Sequence, residues 1–206
     1  MALDRDLYAS EVQGLNEAHE HRLKRRRRER ARRHEPSRRR HGGFSPLAAA
    51  AIAGSAIALS ALIGRRYSPD RSHPGIERWY DDLEKPSFTP PDPVFGAVWP
   101  ALELLLAASG YRLLREPSSP DRDRALALWA VNVAMIPGWT KIFFGERSLT
   151  GGLAAATAQL AAGFAYMENA RRVDGVAAAC GVPYTAWLAF ANVLAEEVWR
   201  RNASER

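Results

Sequence analysis

The chain has 206 residues and a formal net charge of +6, a length that allows one domain or at most two. Its only cysteine, Cys180, excludes an intrachain disulfide and a cysteine-cluster metal centre. The averages hide two unlike parts: residues 1–43 are charged and arginine-rich, and most of the remainder is rich in alanine and leucine.

The centre of the first part, LKRRRRERARRHEPSRRRH, has no apolar periodicity and reads as a solvated or disordered basic tail. Placed before an apolar segment, it is expected to hold that segment's N-terminal end on the cytoplasmic side, with anionic lipid headgroups as its natural contact. No aromatic residues are interleaved with the arginines to stack on bases, which disfavours nucleic acid as a partner. His19, His21, His34 and His41 have no ligand spacing, so no metal is expected there. The apolar segment lies too far from Met1 for a secretory signal.

Residues 44–64, FSPLAAAAIAGSAIALSALIG, carry no charge and as a helix would cover about 30 Å, the hydrocarbon thickness of a bilayer. Ser45 and Pro46 suit the start of that helix; Gly64, Arg65 and Arg66 suit its end. Residues 65–93 form a polar connector that gathers Trp79, Tyr80, Phe88, Pro86, Pro90, Pro91 and Pro93. The prolines forbid a helix interior or a central strand over residues 85–93 and predict a stiff, extended approach to the next span. Further spans are expected at residues 94–114, 125–144, 151–167 and 176–194, with loops at 116–124, 145–150 and 168–175 and a short tail at 203–206. Cys180 falls in the last span, where a small buried hydrophobe is the natural reading. Pro137 and Gly138 should kink or loosen the third span. Gly152 and Ala156 have small-xxx-small spacing, which serves either a dimer face or packing within the chain. The expectation is an all-α integral membrane protein, a bundle of five transmembrane helices over residues 44–202. Its termini would lie on opposite sides, with the 112–124 region, Arg171 and Arg172 on the side of the basic tail.

Several motifs then occur in order: WYDDLEKPSFTPP and VFGAVW around the connector, IFFG at 142–145, PYTAWLAFA at 183–191 and VWRRN at 198–202. Over about residues 78–202 the chain resembles the TspO/MBR family, the tryptophan-rich sensory proteins related to the mitochondrial translocator protein. The resemblance implies five transmembrane helices, often paired as a homodimer, and binding of porphyrins such as protoporphyrin IX and haem as ligands, with no cofactor required. It places a ligand cavity among the helices beneath the first long loop. Trp99, Trp139, Trp187 and Ala191 then match lining positions, and Tyr80 belongs to the covering loop. Independently, a flat apolar macrocycle needs large rigid faces such as indoles and a polar handle.

The sequence departs from that pattern at Glu103, Ile136, Ala195 and Glu196, and the last of these breaks the sterol-recognition motif described for mitochondrial members. Glu103 stands one turn after Trp99 on the same face. A carboxylate within a span costs roughly 2.5–3.5 kcal/mol unless it is neutral, paired or facing a wet cavity. It is read as lining the cavity as a neutral acid or bonding ligand, the alternatives being an internal partner such as Asn132 or Lys141, or an interfacial position. Trp79 and Trp199 read as interface anchors, and Trp129 as packing or lipid-facing.

No nucleophile–base pair, metal-ligand cluster or phosphate-cradling glycine loop is visible, which disfavours a conventional enzyme. The sequence points to a receptor- or transporter-like protein of a bacterial cell envelope that senses, transports or scavenges tetrapyrroles. One rival is light-dependent porphyrin degradation, with Trp99 and Trp187 as electron donors. Another is a lipid- or sterol-binding adaptor whose basic tail recruits a partner.

Overall fold

A computed structural model describes residues 42–202; the expected basic tail, apart from its last two glycines, and the expected tail at 203–206 lie outside the described residues. Local signals set each helix start. Ser45 Oγ accepts from the Ala48 amide at 3.2 Å and Pro46 takes the first turn of α1 (Pro46–Arg65). Pro74 opens α2 (Pro74–Asp81) and Asp92 and Pro93 open α3 (Asp92–Arg115). Ser119 Oγ caps α4 (Pro120–Thr140), which runs into one π turn at Lys141–Gly145. Ser148 Oγ caps α5 (Leu149–Ala170), and Asp174 accepts from the Val176 and Ala177 amides at 2.8 and 3.0 Å to start α6 (Gly175–Asn202).

Four of the five long helices, α3 to α6, are longer than the expected spans. The charged turn 120–124, expected as loop, is the first turn of α4, and α6 continues well past residue 194. Apolarity marks only what crosses the bilayer, whereas proline at the first turn, a serine cap and acidic residues favour helix in water as well. The connector, read as a polar linker with no helix assigned, also holds a helix, α2, ahead of the extended 85–93 stretch. Ile76, Trp79 and Tyr80 have the i, i+3, i+4 spacing that gives α2 one apolar face; that face, with Leu83 just past the helix end, packs on the cluster of Phe143 and Phe144.

The five long helices among the described residues pack in the cyclic order α1–α3–α6–α5–α4. Four of them, α1, α3, α4 with its π turn, and α6, are long and apolar enough to cross a membrane. α5, held between α4 and α6, carries the polar Gln159, Thr150 and Thr157 along an otherwise alanine-rich helix, and its 22 residues span about 33 Å. Exposure is inverted relative to a water-soluble bundle. Leu47, Leu59, Leu104, Phe164 and Val193 face outward, while Ser60, Ser109, Asn132, Gln159 and Thr185 are buried. Without water in the bilayer core, these polar groups are paired inside the protein, Thr185 Oγ1 on the Gly181 carbonyl of its own helix and the others across helices. Gln159 Nε2 donates to the Tyr184 hydroxyl at 2.8 Å, Asn132 Nδ2 donates to the Ala162 carbonyl at 3.1 Å, and Ser109 bonds the Tyr166 hydroxyl and the Ala177 carbonyl.

Pro137, expected to kink the third span, sits within α4. Lacking an amide hydrogen, it leaves the Val133 carbonyl without its helical donor. Ser60 Oγ of α1 supplies one at 2.9 Å, so the defect in one helix ties it to its neighbour. Gly152 and Ala156 are buried within the chain, Gly152 beneath Phe143, which makes this small-residue pair an internal packing surface.

One end of the bundle is fastened by arginines. The Phe44 amide donates to the Leu114 carbonyl at 2.9 Å, and Arg115 Nη1 donates to the Phe44 carbonyl at 2.7 Å. Arg122 donates to the Leu113 and Leu114 carbonyls, and Arg112 pairs with Asp174 at 2.8 Å. The start of α1, the end of α3 and the α5–α6 turn thus share this end, and the last turn of α6 lies at the other, as five spans require. Burial alone would raise the Asp174 pKa, but Arg112 and the Ala177 and Val176 amides outweigh it and hold the carboxyl below the usual carboxylate range. A depressed folded-state pKa gives stability that is present above the unfolded value, near 3.9, and lost as pH falls through the lowered folded value. Asp174→Asn is therefore expected to lower stability by about 1–2 kcal/mol at pH 7, since an asparagine keeps much of the cap but not the ion pair. The gap from wild type should close on acidification, read as thermal midpoints in detergent between pH 7 and pH 3.

Candidate functional site

The α3 and α6 faces meet at a chain of aromatic rings. Phe95, Trp99 and Glu103 recur every four residues and so share a face of α3; Trp187 and Ala191 do the same on α6. The Phe95 and Trp187 rings meet edge-on, 5.7 Å apart at 72°. Trp187 and Phe190 lie 5.3 Å apart, and Phe190 meets Phe88 of the first loop at 6.4 Å. Trp99 and Trp187 are each only partly buried and rest on the main core. Trp187 Nε1 is buried and has no hydrogen-bond partner among the described residues. Unpaired buried donors are rare because leaving one unmade costs about 1–3 kcal/mol. The half-buried Glu103 carboxyl likewise has no ion-pair or hydrogen-bond partner among the described residues, so neither Asn132 nor Lys141 serves it.

A second aromatic cluster caps the bundle at the α2 end. Trp139 stacks on Phe143 with centroids 4.8 Å apart and planes 10° apart, and its Nε1 donates to the Gly152 carbonyl at 3.0 Å. Trp79 meets Phe143 at 5.6 Å and Tyr80 meets Phe144 at 5.3 Å, both edge-on. Trp199 packs in the same cluster and donates to Thr150 Oγ1 at 3.0 Å. Burial, followed by the Asp92 and Asp81 charges, pushes the Tyr80 phenol up to about 12, so it stays neutral at physiological pH, with Lys85 Nζ 4.0 Å above its ring.

The six expected site residues therefore divide. Trp99, Glu103, Trp187 and Ala191 belong to the α3–α6 face, whereas Tyr80 and Trp139 belong to the second cluster. Trp139 has one ring face covered and its N–H engaged, which makes it a packing residue in this arrangement. Trp79 and Trp199 likewise pack within the cluster, and Trp129 is buried between α3 and α4 with its N–H on the Leu106 carbonyl at 2.9 Å. Sequence reasoning did not assign Phe95, Phe190 and Phe88 to the site. Phe95 could have been found one turn before Trp99 and Phe190 three residues after Trp187; Phe88, on a non-helical loop, has no periodicity to mark it.

The face can stack a flat ring against indole and phenyl edges, donate one hydrogen bond from Trp187 and offer one carboxyl. No group of three or more His, Cys, Asp or Glu residues suited to a metal ion occurs among the described residues.

Comparison with known proteins identifies the family. The model of the TspO/MBR family matches residues 49–200. Protein CrtK of Rhodobacter capsulatus is 33% identical over 154 residues, covering 73% of this chain and 91% of its own. The translocator protein of Homo sapiens is 33% identical over 151 residues, 71% of this chain and 86% of its own. The tryptophan-rich sensory protein of Cereibacter sphaeroides is 32% identical over 126 residues, 61% of this chain and 78% of its own. With its membrane-spanning helices, its ordered tryptophan motifs and this match over most of its length, the chain is an integral membrane protein of the TspO/MBR family.

Proposed function

We propose that the protein is a receptor- or transporter-like membrane protein that binds a tetrapyrrole, protoporphyrin IX or haem, on the aromatic face between α3 and α6. The observation that carries this reading is Trp187: a large ring half-buried between Phe95 and Phe190 whose buried N–H has no partner among the described residues. A porphyrin supplies what the face lacks, a flat apolar surface for the rings and a propionate or ring acceptor for the indole N–H. Trp99 and Ala191 extend the face along α3 and α6. Glu103, one turn from Trp99, bonds the ligand as a neutral acid. Relatives named translocator protein and tryptophan-rich sensory protein support the receptor or transporter class.

The basic tail is read as cytoplasmic, near anionic headgroups of a bacterial envelope. Its support is charge: the tail is arginine-rich, α1 starts at the end that also bears Arg112, Arg115, Arg122, Arg171 and Arg172, and positive segments are retained inside. Titration of the full chain in detergent with protoporphyrin IX and with haem is expected to quench tryptophan fluorescence saturably in the micromolar range. Linear, unsaturable quenching by both would overturn the tetrapyrrole reading.

A further inference from the structure

Between α2 and α3 the chain crosses the end of the bundle as a strap, residues 82–91. On one side it is tied through α2, whose Trp79 and Tyr80 rings sit on Phe143 and Phe144 and whose Gly75 carbonyl accepts from Arg147 Nη2 at 3.1 Å. On the other it runs directly into α3. In between, the Thr89 amide and hydroxyl both donate to the Pro86 carbonyl, at 3.0 and 2.7 Å, which closes residues 86–89 into a turn of its own. Phe88, exposed at 46%, leaves this turn to meet Phe190, the outer ring of the aromatic face.

Pro86 of the strap is buried and Leu83 packs against the Phe143–Phe144 cluster, and among the described residues the strap backbone is hydrogen-bonded to the bundle through one side chain at the end of α6. The Glu84 amide donates to Asn202 Oδ1 at 3.0 Å, and Asn202 Nδ2 donates back to the Glu84 carbonyl at 3.0 Å. Asn202 Nδ2 also donates to the Val198 carbonyl at 2.8 Å, which anchors the carboxamide on its own helix. Two carbonyls and one amide admit a single orientation of this group, because only the nitrogen donates and only the oxygen accepts. A carboxamide that reads both the N–H and the C=O of one residue acts like a strand partner of one-residue length. Both bonds are exposed to solvent, so each adds only a modest net stability. That makes the tie strong enough to bias the strap and weak enough to open.

We propose that Asn202 is the latch of this strap, and that its release sets the rate at which a flat aromatic ligand reaches and leaves the α3–α6 face. The inference rests on the reading of that face as the ligand site. A latch present equally in the free and the liganded protein changes both rates together and leaves affinity unaltered.

The test uses the full chain in lipid nanodiscs, as wild type, Asn202→Ala and Asn202→Asp, with two readouts. Hydrogen exchange of the strap amides reads the latch without any ligand. Stopped-flow tryptophan quenching by protoporphyrin IX reads the gate. Removing two exposed hydrogen bonds is expected to speed strap exchange by about tenfold in Asn202→Ala. Association and dissociation should rise by a similar factor, with Kd within about twofold of wild type. Asn202→Asp, which keeps the acceptor for the Glu84 amide and loses the donor, should fall between. Unchanged strap exchange in Asn202→Ala overturns the latch, and faster exchange with unchanged ligand rates overturns the gate. If wild type shows no saturable binding, the tetrapyrrole reading fails by itself, and the exchange data alone then decide whether Asn202 holds the strap.

Discussion

Gly110→Ala is expected to cost about 2–4 kcal/mol, the sum of overpacking in a dense core and one weakened hydrogen bond. A Cβ at residue 110 would lie 2.4 and 2.5 Å from Trp129 Cε2 and Cζ2 and 2.9 Å from its Nε1. The indole cannot step aside cheaply. It is 5% exposed, packed in the main core, and its Nε1 donates to the Leu106 carbonyl at 2.9 Å, on the same helix as Gly110. Adding one methyl therefore drives α3 and α4 apart or turns the ring out of its bond. Trp129→Phe alone removes the offending atoms and loses ring volume, at roughly 1–3 kcal/mol. The two substitutions share one contact, so the double variant should be less destabilised than their sum. Thermal midpoints in detergent for the two single variants and the double would show it; simple additivity would mean that the Gly110–Trp129 contact does not limit packing.

Asn132→Asp is the second large effect, expected at about 3 kcal/mol or more from the price of an acid inside a span. Asn132 is fully buried in α4, and its Nδ2 donates both to the Leu128 carbonyl of its own helix and to the Ala162 carbonyl of α5. Aspartate would replace this double donor by an oxygen aimed at two carbonyl oxygens. A proton could satisfy only one of them. Asn132→Ala loses the same two bonds without burying a charge, and bonds of this kind within membranes are worth about 0.6–2 kcal/mol. The aspartate variant should therefore be less stable than the alanine variant by about a kcal/mol or more. Equal stabilities, measured by unfolding in mixed micelles, would contradict the assigned role of Asn132 as donor.

Much of the fold was legible because lipid imposes a simple rule: predominantly apolar stretches about as long as the bilayer is thick become helices. That rule placed all five long helices. It could not place their ends. Residues 120–124 and the last turns of α6 are charged and lie where the chain meets water, so apolarity is silent and capping decides. It also overlooked α2, whose helical spacing of Ile76, Trp79 and Tyr80 is embedded in a polar, proline-rich connector.

The site was legible in part. Spacing along one helix grouped Trp99 with Glu103 and Trp187 with Ala191, because residues four apart share a face. It could not show that Trp139 turns toward Phe143 and gives its N–H to Gly152, since that depends on how α4 meets α5. Nor could it show the bond pattern of Asn202, which joins residues far apart in the chain.

The central claim is that the face between α3 and α6, and not the cluster around Trp139, receives the tetrapyrrole. Protoporphyrin IX titrations of wild type, the Trp99→Phe/Trp187→Phe double variant and Trp139→Phe, compared at matched thermal stability, test it most directly. Removing both indoles should weaken binding by about tenfold or more, from the lost Trp187 N–H bond and the lost ring area, while Trp139→Phe keeps wild-type affinity. Unchanged affinity in the double variant, with a loss in Trp139→Phe, would contradict the account.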